Sequence, residues 1–96
     1  MVLFNENEVR KALVTVSVEQ VLHDIGTPTY EKVIHQLYQE YHCYLPDCFE
    51  HPEHLNKILK QLFGNSYTTI VECIKNKLED FSTQKSINDF LVSVSK

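Results

Sequence analysis

Glycine is nearly absent from this chain of 96 residues: there are only two, at Gly26 and Gly64, beside three prolines. A β-sandwich or barrel of this length needs many Gly, Pro and Asn turns, so the shortage favours long uninterrupted helices. Isolated glycines also leave no glycine-rich loop to cradle a phosphate. No apolar run approaches the roughly 20 residues of a membrane span. Basic residues are outnumbered, and the net charge of −4 weighs against a general nucleic-acid binder. The opening MVLFNENEVRKAL has acidic residues where a signal peptide needs positive charge, so the expected location is cytoplasmic, with no membrane partner. Three cysteines, an odd number, fit reduced thiols rather than a disulfide framework.

What is present is an ordinary globular composition, 43% hydrophobic, in a length that makes one domain, residues 1–96. Such a chain buries only about two-thirds of its unfolded surface, so its single core must be efficient. Apolar residues recur at helical spacing in five segments. In residues 6–25 they are Val9, Leu13, Val16, Val21, Leu22 and Ile25, with a break expected near Val16, where Ser17 and Gln20 resemble a capping box. Gly26 stops this helix. Thr27 is expected to cap the second helix, with Pro28 at its first position. Val33, Ile34, Leu37, Tyr38 and Tyr41 form one apolar side, ending near Tyr41. The third helix starts at His51-Pro52-Glu53, continues through Leu55, Ile58, Leu59, Leu62 and Phe63, and stops at Gly64. Asn65 or Ser66 caps a fourth through Tyr67, Ile70, Val71, Ile74, Leu78 and Phe81. Ser86 with Asp89 forms a capping box for the last, which carries Ile87, Phe90, Leu91 and Val94. The expected fold is all-α, a compact bundle of four to five helices with antiparallel neighbours.

Chemistry concentrates in residues 42–54, HCYLPDCFEHPEH. Zinc takes four nitrogen or sulfur ligands, and Cys43, Cys48, His51 and His54 supply four such residues. Structural zinc sites, however, usually draw ligand pairs from separate elements. The stretch also has the parts of a helix-to-helix connector, and that reading is preferred, with no metal, cofactor or catalytic residue assigned. On it, Pro46 ends the second helix, Asp47 caps a turn at 48–50, and Tyr44, Leu45 and Phe49 insert into the core. The sulfurs of Cys43 and Cys48 then face different sides, and His51 and His54 lie on the surface. Cys48 with His51 offers a thiol and a base, but no oxyanion loop accompanies them, so an enzyme is not expected.

Lys57, Lys60, Lys75 and Lys77 suggest an alternative, a small DNA-binding regulator using helices 52–63 and 66–81. Glu72, Glu79 and Asp80 oppose phosphate approach there, and solvated lysines are the simpler account. A zinc-stabilised module through Cys43, Cys48, His51 and His54 is the other alternative.

The order Ile25-Gly26, Leu37, Tyr41, Leu45-Pro46-Asp47, His51-Pro52-Glu53, Leu55, Leu59, Phe63-Gly64, Ile70-Val71, Ile74 and Leu78 resembles a group of short archaeal helical domains of unknown function. The likeness is to the output-domain branch of ammonia-oxidising archaea, over roughly residues 20–80. The resemblance implies a helical domain that occurs alone or joined to signalling modules, without assigned catalytic residues. A non-enzymatic interaction domain in signalling or regulation is therefore the expected function, with a signalling protein as a partner. A homodimer is expected as well, because residues 1–4 (MVLF) and the last helix offer more apolar positions than a small four-helix core needs. Residues 1–16 and the C-terminal helix, 86–95, are the expected oligomer contacts.

Overall fold

The computed structural model describes residues 6–81 and 83–96. The described residues form five α-helices: α1 (Glu6–Ile25), α2 (Thr27–Tyr41), α3 (Pro52–Phe63), α4 (Tyr67–Lys77) and α5 (Lys85–Val94). Three 3-10 turns, Leu45–Phe49, Gly64–Ser66 and Glu79–Phe81, join them, and the described residues include no strand. The all-α bundle is thus what the spacing of apolar residues predicts. No described helix is long and apolar enough to cross a membrane. The Cα radius of gyration, 12.8 Å, is close to the ~12.5 Å of a single folded domain of this length.

The longest helix, α1, lies against α2, the Leu45–Phe49 turn and α4, while α3 packs on α2 and α5. Val14, Ser17, Val18, Val21 and Leu22 form the buried stripe of α1. That spacing, i, i+3, i+4, i+7 and i+8, is the core face of an ideal amphipathic helix. The expected stripe through Val9, Val16 and Ile25 is corrected: all three are exposed. Ser17 explains the difference. It is polar but small, and it lies buried where α1 meets its neighbours, so it belongs to the inner face. The expected break near Val16 is absent, and α1 runs unbroken to Ile25.

Gly26 ends α1 by donating its N–H to Leu22 O and opens α2 by accepting from the N–H groups of Thr29 and Tyr30. Thr27 is therefore the first helical residue rather than a side-chain cap, and Pro28 lies in the first turn, where a missing N–H costs nothing. Gly64 ends α3 with φ 56 and ψ −129, a backbone region that side-chain-bearing residues avoid. The fourth helix is shorter than expected. Leu78 N–H divides between Ile74 O and Lys75 O, both at 3.1 Å, and this tightening ends α4 at Lys77 and leads into the Glu79–Phe81 turn. The expected Ser86 cap is also corrected. Gln84 precedes α5, Asn88 N–H closes on Gln84 O, and Ser86 lies inside the first turn with its hydroxyl buried and unpartnered.

The core gathers Leu22, Val33, Leu37, Leu55, Ile58, Leu59, Ile74, Leu78, Ile87 and Val94, all fully buried. The buried amide of Asn56 donates to Val94 O at 2.7 Å and so ties α3 to the end of α5. Four apolar residues of α5, Ile87, Phe90, Leu91 and Val94, are spent on this core. They are not surplus surface, so that ground for a dimer through the last helix is withdrawn; residues 1–4 lie outside the described residues.

Candidate functional site

The chain between α2 and α3 is built in two halves. His42 ends α2 in the left-handed region, φ 50, with its N–H on Tyr38 O and the N–H of Cys43 on Leu37 O. This turn sends Cys43 inward. Tyr44 is extended, and Pro46 lies in the first turn of the 3-10 segment that follows. Asp47 locks that segment from both sides: its N–H donates to Tyr44 O at 3.0 Å, and its carboxylate accepts the Tyr44 N–H at 3.1 Å. The side chain therefore caps the start of the turn, upstream of Asp47, rather than residues 48–50 as expected. Leu45 and Cys48 are buried and Phe49 is partly so, with its ring 6.5 Å from that of Phe90. Tyr44 does not insert; it is 59% exposed. Lys11 of α1 pairs with Glu50 at 3.2 Å and fastens the outer side.

The two thiols meet, which corrects the expectation that they diverge. The Cys43 and Cys48 thiols both point at Tyr44 O, at 3.4 and 3.9 Å. Five residues apart across a tight turn, they land on the same inner side. Burial pushes both thiols above their ordinary range, Cys48 far above it, so they are protonated and apolar in character. Cys73 is the exposed cysteine.

The imidazoles occupy the other half. His51 precedes α3, and Glu53 and His54 fill its first turn. His51 Nδ1 lies 3.3 Å from Glu53 Oε2, and His54 Nε2 lies 3.9 Å from the same oxygen. The His54 ring stacks on Tyr41, centroids 4.1 Å apart and 4° from parallel. The Glu53 carboxyl is held below its usual range, first by a hydrogen bond from its own backbone N–H and then by the neighbouring histidines. One donor atom from each of His51, Glu53 and His54 falls within a 4.8 Å group, and neither sulfur joins it. The four residues of the zinc alternative are thus divided: Cys43 and Cys48 face inward as a pair, and His51 and His54 converge with the carboxylate of Glu53, which the sequence marks only as part of a helix start. The pattern His-x-Glu-His at a helix start was the available signal for this set. Nor do Cys48 and His51 form a thiol–base pair, since the thiol faces Cys43 and Tyr44 O while His51 Nδ1 faces Glu53.

A second feature was missed in sequence. Tyr30, Ile34 and Tyr38 recur every four residues along α2, beside the buried Val33 and Leu37. With Tyr44 they line a shallow depression of about 410 Å³ whose other residues are Glu31 and His35. Tyr38 is 48% exposed, and its ring centroid lies 5.6 Å from that of Tyr44.

Three of the four lysines have contacts of their own. Lys60 lies 5.1 Å over the Tyr67 ring, Lys75 lines a groove between α4 and α5, and Lys77 reaches Asp24 of α1 at 4.0 Å. No protein-family model matches this chain, and neither a curated protein nor a solved structure matches it.

Proposed function

We propose that this protein is a non-enzymatic, cytoplasmic interaction domain of a regulatory or signalling kind, and that it self-associates through the tyrosine face of α2. The observation that carries this reading is the pair of exposed rings, Tyr38 and Tyr44, with the half-buried Tyr30 and Ile34 lining the same depression. Tyrosine and other aromatic residues are enriched in interfaces, where a rigid ring provides contact area at little entropic cost. Glu31 is the single carboxylate lining the depression, so two copies meeting there face little like-charge repulsion. A two-fold axis would set ring against ring in a self-complementary contact. The contact thereby moves from the last helix to α2. The non-enzymatic reading is supported by the state of the two connector thiols, Cys43 and Cys48, which are buried and protonated. The resemblance to archaeal output domains implies the same class of function and a signalling protein as the eventual partner. The scattered lysines lend no support to a DNA-binding reading.

Sedimentation equilibrium tests the proposal. The wild-type chain should dimerise at micromolar concentration, and the Tyr38→Ser/Tyr44→Ser double variant should be monomeric with an unchanged helical spectrum. A monomeric wild type ends the self-association proposal, and a dimer indifferent to both substitutions removes α2 as its face.

A further inference from the structure

The start of α3 assembles a donor set of a recognisable kind. Pro52 sets the first helical residue, so His51 and His54, three apart, rise on the same side with Glu53 between them. Their rings are 5.2 Å apart and 17° from parallel. Zinc bonds of about 2.0–2.1 Å in a tetrahedron leave the donor atoms roughly 3.3 Å from one another. His51 Nδ1 already lies 3.3 Å from Glu53 Oε2 and His54 Nε2 3.9 Å from the same oxygen; the three donors, within 4.8 Å of one another, draw in to that spacing by side-chain rotation.

We propose that His51 Nδ1, the Glu53 carboxylate and His54 Nε2 bind one borderline divalent transition-metal ion of the Zn²⁺ class, with the fourth position left open. Three further observations support it. Tyr41 stacks against His54 and fixes the plane of its ring. His54 Nδ1 is buried without a hydrogen-bond partner, so Nε2 is the nitrogen presented to a ligand. Asp47 and Glu50 line the depression beside the two histidines, and with Glu53 they offset the positive end of the α3 dipole. Two imidazoles select against Ca²⁺ and Mg²⁺, which prefer oxygen. Cys43 borders the same depression, but neither sulfur falls within the donor group, and Cys48 is buried behind it.

Tag-free protein titrated with Zn²⁺ by calorimetry, and with Co²⁺ by absorption, tests this. One equivalent should bind, and the Co²⁺ complex should show ligand-field bands without a thiolate charge-transfer band. Glu53→Gln and His54→Ala should each weaken binding at least about tenfold. Cys43→Ser/Cys48→Ser should leave it unchanged. Glu53 is exposed, so its variant retains the fold and keeps the test valid if His54→Ala proves unstable. Absence of saturable binding overturns the site, as does binding unaltered in Glu53→Gln. A thiolate band lost in the cysteine double variant overturns the donor set in favour of the sulfurs.

Discussion

Residues 43–48 and residues 51–54 differ more in environment than in composition. Both stretches hold potential metal ligands, and they are separated by only two residues. In the first, the thiols of Cys43 and Cys48 are turned against one another at 5% and 2% exposure. In the second, an exposed imidazole and a half-buried one gather around one oxygen of an exposed carboxylate. The left-handed turn at His42 and the Asp47-locked 3-10 segment direct the first group inward. Pro52, by starting α3, directs the second outward. Proximity in sequence therefore says little about shared chemistry when a tight turn lies between.

The contrast can be broken most severely from the buried side. Leu45→Ala removes a side chain that is 5% exposed and should cost about 2–5 kcal/mol in denaturant unfolding; a loss near zero would mean that the connector is not part of the core. Alkaline pH attacks the same half. The Cys48 thiol has a raised folded-state pKa, so the folded chain keeps a proton that the unfolded chain releases above the ordinary thiol value of 9.0. Its contribution is thus complete below about pH 9 and falls as pH rises beyond it, with a slope of at most ~1.4 kcal/mol per pH unit. Unfolding curves across pH 8–10.5 should show this slope reduced in Cys48→Ala. In parallel, a thiol reagent at pH 8 should label Cys73 rapidly and the connector pair only after unfolding.

The hinge between the two halves comes next. Asp47→Ala removes the carboxylate that accepts the Tyr44 N–H and should cost about 1 kcal/mol, whereas Asp47→Asn should retain most of that stability, as read from melting curves. The outer half should be the least sensitive. His51→Ala deletes an exposed ring and should change stability by less than ~0.5 kcal/mol in metal-free buffer. A larger loss would show that the histidines hold the fold together rather than await a ligand.

The legible parts of this fold are those marked by backbone-specific residues. Gly26, Pro28, Pro52 and Gly64 fall where helices begin or end, because φ and N–H requirements act locally and need no partner. The inner face of α3 was equally plain, since Leu55, Ile58 and Leu59 stand on one side against charged residues on the other. The face of α1 was not. Its valines at 9, 14, 16, 18 and 21 offer more than one apolar stripe, and the choice of the stripe containing Ser17 depends on what α2, α4 and the connector present to it. The Ser86 cap failed for a related reason: a serine three residues before an acid also fits inside a first turn once Gln84 takes the capping place.

For the candidate site, residue types were visible and their grouping was not. Sequence alone determined five apolar-periodic segments, their punctuation, and a connector rich in cysteine and histidine. Tertiary structure decided which of those ligands meet, which tyrosines remain outside, and that α5 completes the core. Helix periodicity and caps are set within a turn or two of chain. Burial and convergence of side chains depend on the direction in which each element is held by the others, and that information is distributed over the whole bundle.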